Sequence, residues 1–169
     1  LLVQFHYKYV FKFFHYFCKK KFLITTSDIF SISGQKQFEK VALKVFRFQY
    51  ENNLVYKKFC DLLKTDVQKV KSLQQIPFLP IQFFKSHEVV SNTNPVQEIF
   101  ISSGTTGMIT SKHLVTDVAL YEESFRKGFS EFYGTIEDYV VLALLPSYLE
   151  REGSSLIYMV KDLIELSNQ

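Results

Sequence analysis

From residue 35 onward the apolar positions fall into a helical rhythm. Phe38, Val41, Ala42, Val45, Phe46 and Gln49 recur every three or four residues, with Lys36, Glu39, Lys40, Lys44 and Arg47 on the other side. That spacing predicts an amphipathic helix over 35–50, because such positions share one face at 3.6 residues per turn. Gly34 punctuates its start, and Ser27-Asp28 is expected to act as an N-cap for the patterning that begins there. Asn52-Asn53 interrupts, and a second helix over about 54–64 is expected to turn Tyr56, Phe59, Cys60, Leu62 and Leu63 inward. Thr65-Asp66 opens a short third turn ending at Leu73, after which Ile76-Pro77-Phe78-Leu79-Pro80 imposes an extended path, since proline disfavours helix in the residue before it. Ile81, Phe83 and Phe84 form an apolar patch, and Ser91 to Pro95 reads as a loop.

After residue 97 the period changes. Glu98 to Ile101 reads as a short strand, Ser102 to Gly107 as a tight loop, and His113-Leu114-Val115 as a second strand. Thr116-Asp117 is expected to cap a helix running through Leu120, Tyr121, Ser124, Phe125, Gly128, Phe129 and Phe132, with Gly134 just past its end. The unbroken apolar run Tyr139 to Leu145, stopped by Pro146, predicts a strand buried on both faces. Ser154-Ser155 is expected to open a last helix with Leu156, Ile157, Val160, Leu163 and Ile164 on its apolar side. The sum is an α/β fold with a helical N-terminal cap.

Composition narrows the classes. The 169 residues are 47% hydrophobic and 22% charged, which excludes a disordered polymer. With two cysteines, Cys18 and Cys60, the chain is not a disulfide-stapled secreted scaffold, and a reducing compartment, the cytoplasm, is expected. Cys60, on a helical apolar face with no base beside it, reads as core packing. The histidines and cysteines fit no zinc spacing, so no structural metal is expected, and His113 reads as a satisfied or solvent-facing histidine.

The net charge of +3 is unevenly placed: residues 1–23 carry five lysines and no acid, leaving 15 bases against 17 acids in the remainder. A basic-patch argument for nucleic acid therefore fails for residues 24–169. In the first segment Lys8, Lys12, His6 and His15 break any run long enough to span a bilayer. Lys19-Lys20-Lys21 follow the apolar stretch instead of preceding it and no small-residue cleavage site appears, so no secretory signal is expected. An aromatic and basic interfacial anchor is one reading of 1–23; the other is translated sequence outside the native fold, and 24–169 is taken as the fold-bearing part. The absent initiator Met and the end just past an apolar helical pattern lead to the expectation of a piece of something longer.

The strongest chemical signal is Phe100-Ile-Ser-Ser-Gly-Thr-Thr-Gly107, followed by Thr110, Ser111 and Lys112. Two glycines three apart let the backbone turn sharply and approach a phosphate, and the hydroxyls between and before them can donate to its oxygens. It is not a Walker P-loop, because Met108 and Ile109 stand where Lys-Ser/Thr would follow the glycine, and no Gly-x-Gly dinucleotide fingerprint is present. By composition alone an ordinary Ser/Thr/Gly turn between strands remains the other reading.

The order Ser-Ser-Gly-Thr-Thr-Gly after a short apolar strand resembles the phosphate-binding loop of the adenylate-forming ligase superfamily. The usual Pro-Lys after the loop is missing, and Lys112 lies five residues beyond Gly107. Together with Ile29-Phe30-Ser31, Phe46 to Asn53, Ile76 to Lys85, Leu145 to Arg151 and Ser154-Ser155-Leu156, the chain over about 28–169 is similar to the N-terminal half of the acyl-protein synthetases, the LuxE-like fatty-acid–protein ligases. The resemblance implies an incomplete adenylate-forming-ligase-type α/β domain. It also implies ATP-dependent activation of a long-chain fatty acid as an acyl-adenylate, and transfer of the acyl group to a protein cysteine outside this chain, so that the isolated chain is expected to be inactive.

Under that resemblance Ser102, Ser103, Gly104, Thr105, Thr106 and Gly107 hold the β- and γ-phosphates, Lys112 adds charge, and Mg²⁺ accompanies ATP. Tyr148, Glu150 and Arg151, emerging after the expected strand, line the acyl or adenylate pocket; a surface ion pair between Arg151 and Glu150 or Glu152 is the plainer reading. Acyl-transferase and reductase proteins are the implied partners, with neither nucleic acid nor membrane expected. Two alternatives stay open: a phenylacetate-type coenzyme A ligase, and a non-catalytic binding module.

Overall fold

The computed structural model describes residues 24–91, 94–102, 110–144 and 153–168. The chain divides into two compact units, residues 1–95 and 96–169.

The described part of the first unit is helical. Helix α1 (Thr26–Phe30) opens on a capping box in which the Thr25 hydroxyl accepts from the Asp28 amide while the Asp28 carboxylate accepts from the Thr25 amide. Thr25 is therefore the cap, and Asp28, expected at that position, sits three residues inside and answers it. The Thr-x-x-Asp spacing carries this signal, because each side chain satisfies a backbone donor that the first turn leaves unpaired. The Thr25 amide's hydrogen bond holds the Asp28 carboxyl below its ordinary value.

Helix α2 (Gln35–Asn52) follows Gly34 and matches its expectation, running one turn or less beyond it. It serves two cores. Phe46 packs with Tyr56, Cys60, Val70 and Ile76, while Val41, Val45 and Phe48 pack with Ile24. Helix α3 (Leu54–Leu62) begins where the Asn53 side chain accepts the Tyr56 amide at 2.9 Å. Tyr56 and Cys60 are buried as expected, but Leu62 and Leu63 are exposed, because the helix stops at Leu62 and its last turn points off the core. The third turn expected at 65–73 is shorter, a turn at 67–69 closed by the Lys69 amide on the Asp66 carbonyl, followed by a 3-10 turn, Leu73–Gln75. The path through Pro77 and Pro80 forms neither helix nor strand, leaves Ile76 in the extended region and turns at Pro80, and is tied to α3 where the Tyr56 hydroxyl donates to the Pro77 carbonyl at 2.6 Å. A single turn, α4 (Phe83–Ser86), buries Phe84.

At the end of this unit lies a buried polar knot. Asn53 Nδ2 donates to Ser91 Oγ at 3.3 Å, the Ser91 hydroxyl donates to Gln49 Oε1, and all three residues are at most 4% exposed. Buried polar groups persist where they satisfy one another. Gln49 therefore belongs on the inward face for a different reason from its apolar neighbours.

The described part of the second unit is mixed. Strands β1 (Glu98–Ile101) and β2 (Lys112–Val115) form a two-stranded antiparallel sheet with Glu98 opposite Val115 and Ile101 opposite Lys112. Helix α5 (Val118–Tyr133) is capped by Asp117, whose side chain accepts the Leu120 amide at 3.3 Å, and stops at Gly134, whose φ of 87° suits glycine. Helix α6 (Ser155–Leu166) starts at Ser154, whose hydroxyl accepts from Ile157. Phe100, Val115, Tyr121, Phe125 and Leu163 make the core, so one face of the hairpin is covered by both helices. Tyr158 donates to Glu122 at 2.6 Å, and Arg126 bridges Glu122 and Asp162, joining α5 to α6.

The buried strand expected at 139–145 does not form over its described residues. Residues 139–144 pair with no strand, and Leu142 and Leu144 are 89% and 96% exposed. Their backbone is held elsewhere: Tyr139 accepts from the Asn168 amide at 2.9 Å, and the Val141 amide reaches Ser167 Oγ at 3.5 Å. An unbroken apolar run specifies burial but not the element that provides it, and among the described residues no neighbouring strand offers a ladder. The α/β character of the fold stands on the hairpin and its helices.

Candidate functional site

The glycine-rich segment connects the two strands. Its central residues, 103–109, lie outside the described residues, and so do Tyr148, Glu150, Arg151 and Glu152. The positions expected to hold phosphate, Ser103, Gly104, Thr105, Thr106 and Gly107, and those expected to line a pocket, Tyr148, Glu150 and Arg151, thus fall outside the described residues. The structure brings together Ser102, Ser111, Lys112 and His113 at the neck of the loop.

The neck is built by register. The Ile101 to Lys112 pairing continues one step, and the Ser102 amide donates to the Ser111 carbonyl at 3.0 Å. The Ser111 amide donates in turn to Ser102 Oγ at 2.9 Å. Ser111 is 5% exposed, so this bond satisfies a donor that water does not reach. Ser111 Oγ also lies 3.3 Å from His113 Nε2. Burial pushes the His113 imidazole below its ordinary value and favours its neutral form. Of the two expectations it meets the satisfied one and is half-buried; its strand places it on the face that carries Phe100 and Val115.

Strand alternation puts Lys112 on the opposite face, with Ile99, Ile101 and Leu114. It is exposed and makes no ion pair or side-chain hydrogen bond among the described residues. A solvated cation can pair with an anion without first breaking another contact.

Gly153 braces the outer edge of β1. The Ile101 amide, which faces away from β2, donates to the Gly153 carbonyl at 2.8 Å. Gly153 has a φ of 79°, and a Cβ there would stand 3.0 Å from the Ile99 carbonyl oxygen and 3.2 Å from Ile101 Cγ1. Only glycine fits this close approach, and the sequence reading missed it, because the requirement appears only when β1 is set beside residue 153.

The second cysteine offers no reactive group here. Cys60 is fully buried, with its thiol pushed up chiefly by burial, so it is not a ready nucleophile. Among the described residues no three His, Cys, Asp or Glu side chains cluster to hold a metal ion, and no helix is long and apolar enough to cross a membrane.

Residues 15–124 match the model of a family described as acyl-protein synthetase, LuxE. The chain is also 32% identical over 75 residues to a long-chain-fatty-acid–luciferin-component ligase of Photorhabdus luminescens, a match covering 44% of this chain and 64% of that protein. The chain thus spans somewhat less than two thirds of that relative. No solved structure matches it.

Proposed function

The chain belongs to the LuxE acyl-protein synthetase family, and from that premise we propose that it contributes the phosphate-holding part of an ATP-dependent ligase that activates a long-chain fatty acid for transfer to a protein cysteine. The observation that carries the reading is the loop's setting. A Ser-Ser-Gly-Thr-Thr-Gly segment leaves a strand whose other face is packed, and returns to a second strand beginning with an exposed lysine.

In this reading ATP is a substrate. A fatty-acid carboxylate oxygen attacks the α-phosphorus, the bond to the β-phosphate oxygen breaks, and pyrophosphate leaves. A cysteine thiolate then attacks the acyl carbon of the mixed anhydride, and AMP departs with the electron pair of the broken C–O bond. A carboxylate is a poor acyl donor until such a leaving group is attached, and a thiolate is a strong nucleophile.

The residues present fit a triphosphate. Backbone amides and hydroxyls of Ser103 to Gly107 would donate to the phosphate oxygens while Lys112 supplies positive charge. Mg²⁺, a hard cation that retains oxygen ligands from the phosphates themselves, would neutralise charge on the departing pyrophosphate. Tyr148, Glu150 and Arg151 are assigned to the adenylate or acyl pocket. Because Cys60 is buried, the proposal places the acceptor thiol outside the described residues, takes 24–169 as the N-terminal part of the synthetase domain, and expects the reaction in the cytoplasm with acyl-transferase and reductase partners.

The test is fatty-acid-dependent release of pyrophosphate from ATP and Mg²⁺, measured on this chain and on a longer product carrying the downstream part the reading calls for. Release by the longer protein, lost when Gly104 and Gly107 are both replaced by valine in a folded variant, supports the proposal. A folded long form that releases none with any chain length overturns it.

A further inference from the structure

In an antiparallel ladder every second pair of residues exchanges two backbone hydrogen bonds, and the Ser102 to Ser111 pair falls on that phase. Ser102 and Ser111 keep only one bond of that kind: the Ser102 amide donates to the Ser111 carbonyl at 3.0 Å. The returning bond goes to the side chain, with the Ser111 amide on Ser102 Oγ at 2.9 Å. The serine oxygen thus stands in for the main-chain carbonyl, which is released from the ladder. The chain can turn away at residue 102 without orphaning the Ser111 amide, a group sealed from water since Ser111 is 5% exposed. Leaving that amide unsatisfied would open the neck.

We propose that Ser102 is a positioning residue for the loop it opens: its Oγ accepts the Ser111 amide through a lone pair and fixes the separation of the loop's two ends, a task distinct from donating its O–H to a phosphate. Ser111 is anchored from its far side by its hydroxyl against His113 Nε2 at 3.3 Å, so the clamp connects the loop's return arm to the packed face of the hairpin. This inference rests on the nucleotide reading for its purpose but not for its geometry. Ser102 sets the neck whether or not it also meets a phosphate, and the direct phosphate contact is assigned to Ser103.

The experiment compares the full chain with its S102A, S102T and S103A forms, measuring backbone amide exchange at Ser111 and affinity for ATP with Mg²⁺. Amides of Tyr121 and Phe125 in the core of the same unit, unchanged within about twofold, show that each variant is folded. Loss of one protected hydrogen bond predicts exchange at Ser111 about tenfold faster in S102A, with a comparable weakening of ATP binding. S102T, which keeps an oxygen at the same position, restores both. S103A leaves Ser111 exchange unchanged while weakening ATP binding. Unchanged Ser111 exchange in S102A overturns the clamp. ATP weakening in S102A without faster exchange overturns it too, by making Ser102 a direct ligand. A folded wild-type chain that binds no ATP overturns the nucleotide reading itself, and the exchange rates tell that outcome apart from failure of the clamp.

Discussion

Replacing Gly153 with alanine puts the close approach of residue 153 to strand β1 to a quantitative test. Its φ of 79° lies in the left-handed region, where an added Cβ costs about 1–2 kcal/mol. The Cβ would also stand 3.0 Å from the Ile99 carbonyl oxygen, a backbone atom fixed in the sheet. Residue 153 must then retreat, lengthening the 2.8 Å bond from the Ile101 amide to its carbonyl. A typical hydrogen bond contributes about 0.5–1.5 kcal/mol net. Together the terms predict a loss of about 1.5–3.5 kcal/mol from the unit that holds the hairpin. Native-state amide exchange at Tyr121 and Phe125, both buried in that unit's core, reads it without interference from the helical unit. Their exchange should accelerate by about 10- to 300-fold, since each 1.4 kcal/mol is tenfold. Gly128→Ala is the control: the site lies within α5 with nothing within 4 Å of the added Cβ, and the change should stabilise by about 0.5–1 kcal/mol through helix propensity. Exchange free energies in Gly153→Ala within about 0.5 kcal/mol of the parent chain, well under the loss expected from backbone and hydrogen bond, would refute the reasoning.

Other expectations follow from the same contacts. Asn53→Ala removes the cap on the Tyr56 amide and unties Gln49 and Ser91 in a buried knot, so the helical unit should lose about 2–4 kcal/mol in urea unfolding; a loss below about 1 kcal/mol, less than the cap alone is worth, would contradict the knot's role. Cys60 should resist alkylation in the native chain and react only on unfolding, which peptide-resolved mass spectrometry after iodoacetamide treatment checks. Because burial lowers the His113 value in the fold, the unfolded chain binds the proton more readily as pH falls below about 6.5, and stability declines from there toward the folded value. His113→Gln should flatten the dependence of the urea midpoint between pH 7.5 and 5, and an unaltered slope would count against that burial.

What the sequence made legible was local. Helix α2, the Asp117 cap, Gly134 and the Ser154 start each rest on neighbours within about four residues, where period and cap chemistry act directly. The Thr25 and Asp28 box had the same kind of signal, but the adjacent Ser27-Asp28 pair obscured it. The segment 139–144 went astray for the opposite reason: its apolar character says that something should cover it, and only distant chain can say what. At the site, the glycine-rich motif and Lys112 could be read along the chain. The clamp between Ser102 and Ser111 depends on strand register, and the need for glycine at 153 depends on a neighbour far away in sequence, so both required the structure.

The central claim is that the loop between β1 and β2 holds the phosphates of ATP. Titration calorimetry of the full chain with AMP, ADP and ATP in Mg²⁺ tests it most directly. The account predicts affinity rising with each added phosphate, falling with salt, and falling for ATP when the exposed Lys112 is replaced by alanine. A folded chain that binds none of the three, or binds AMP as well as ATP, would contradict it.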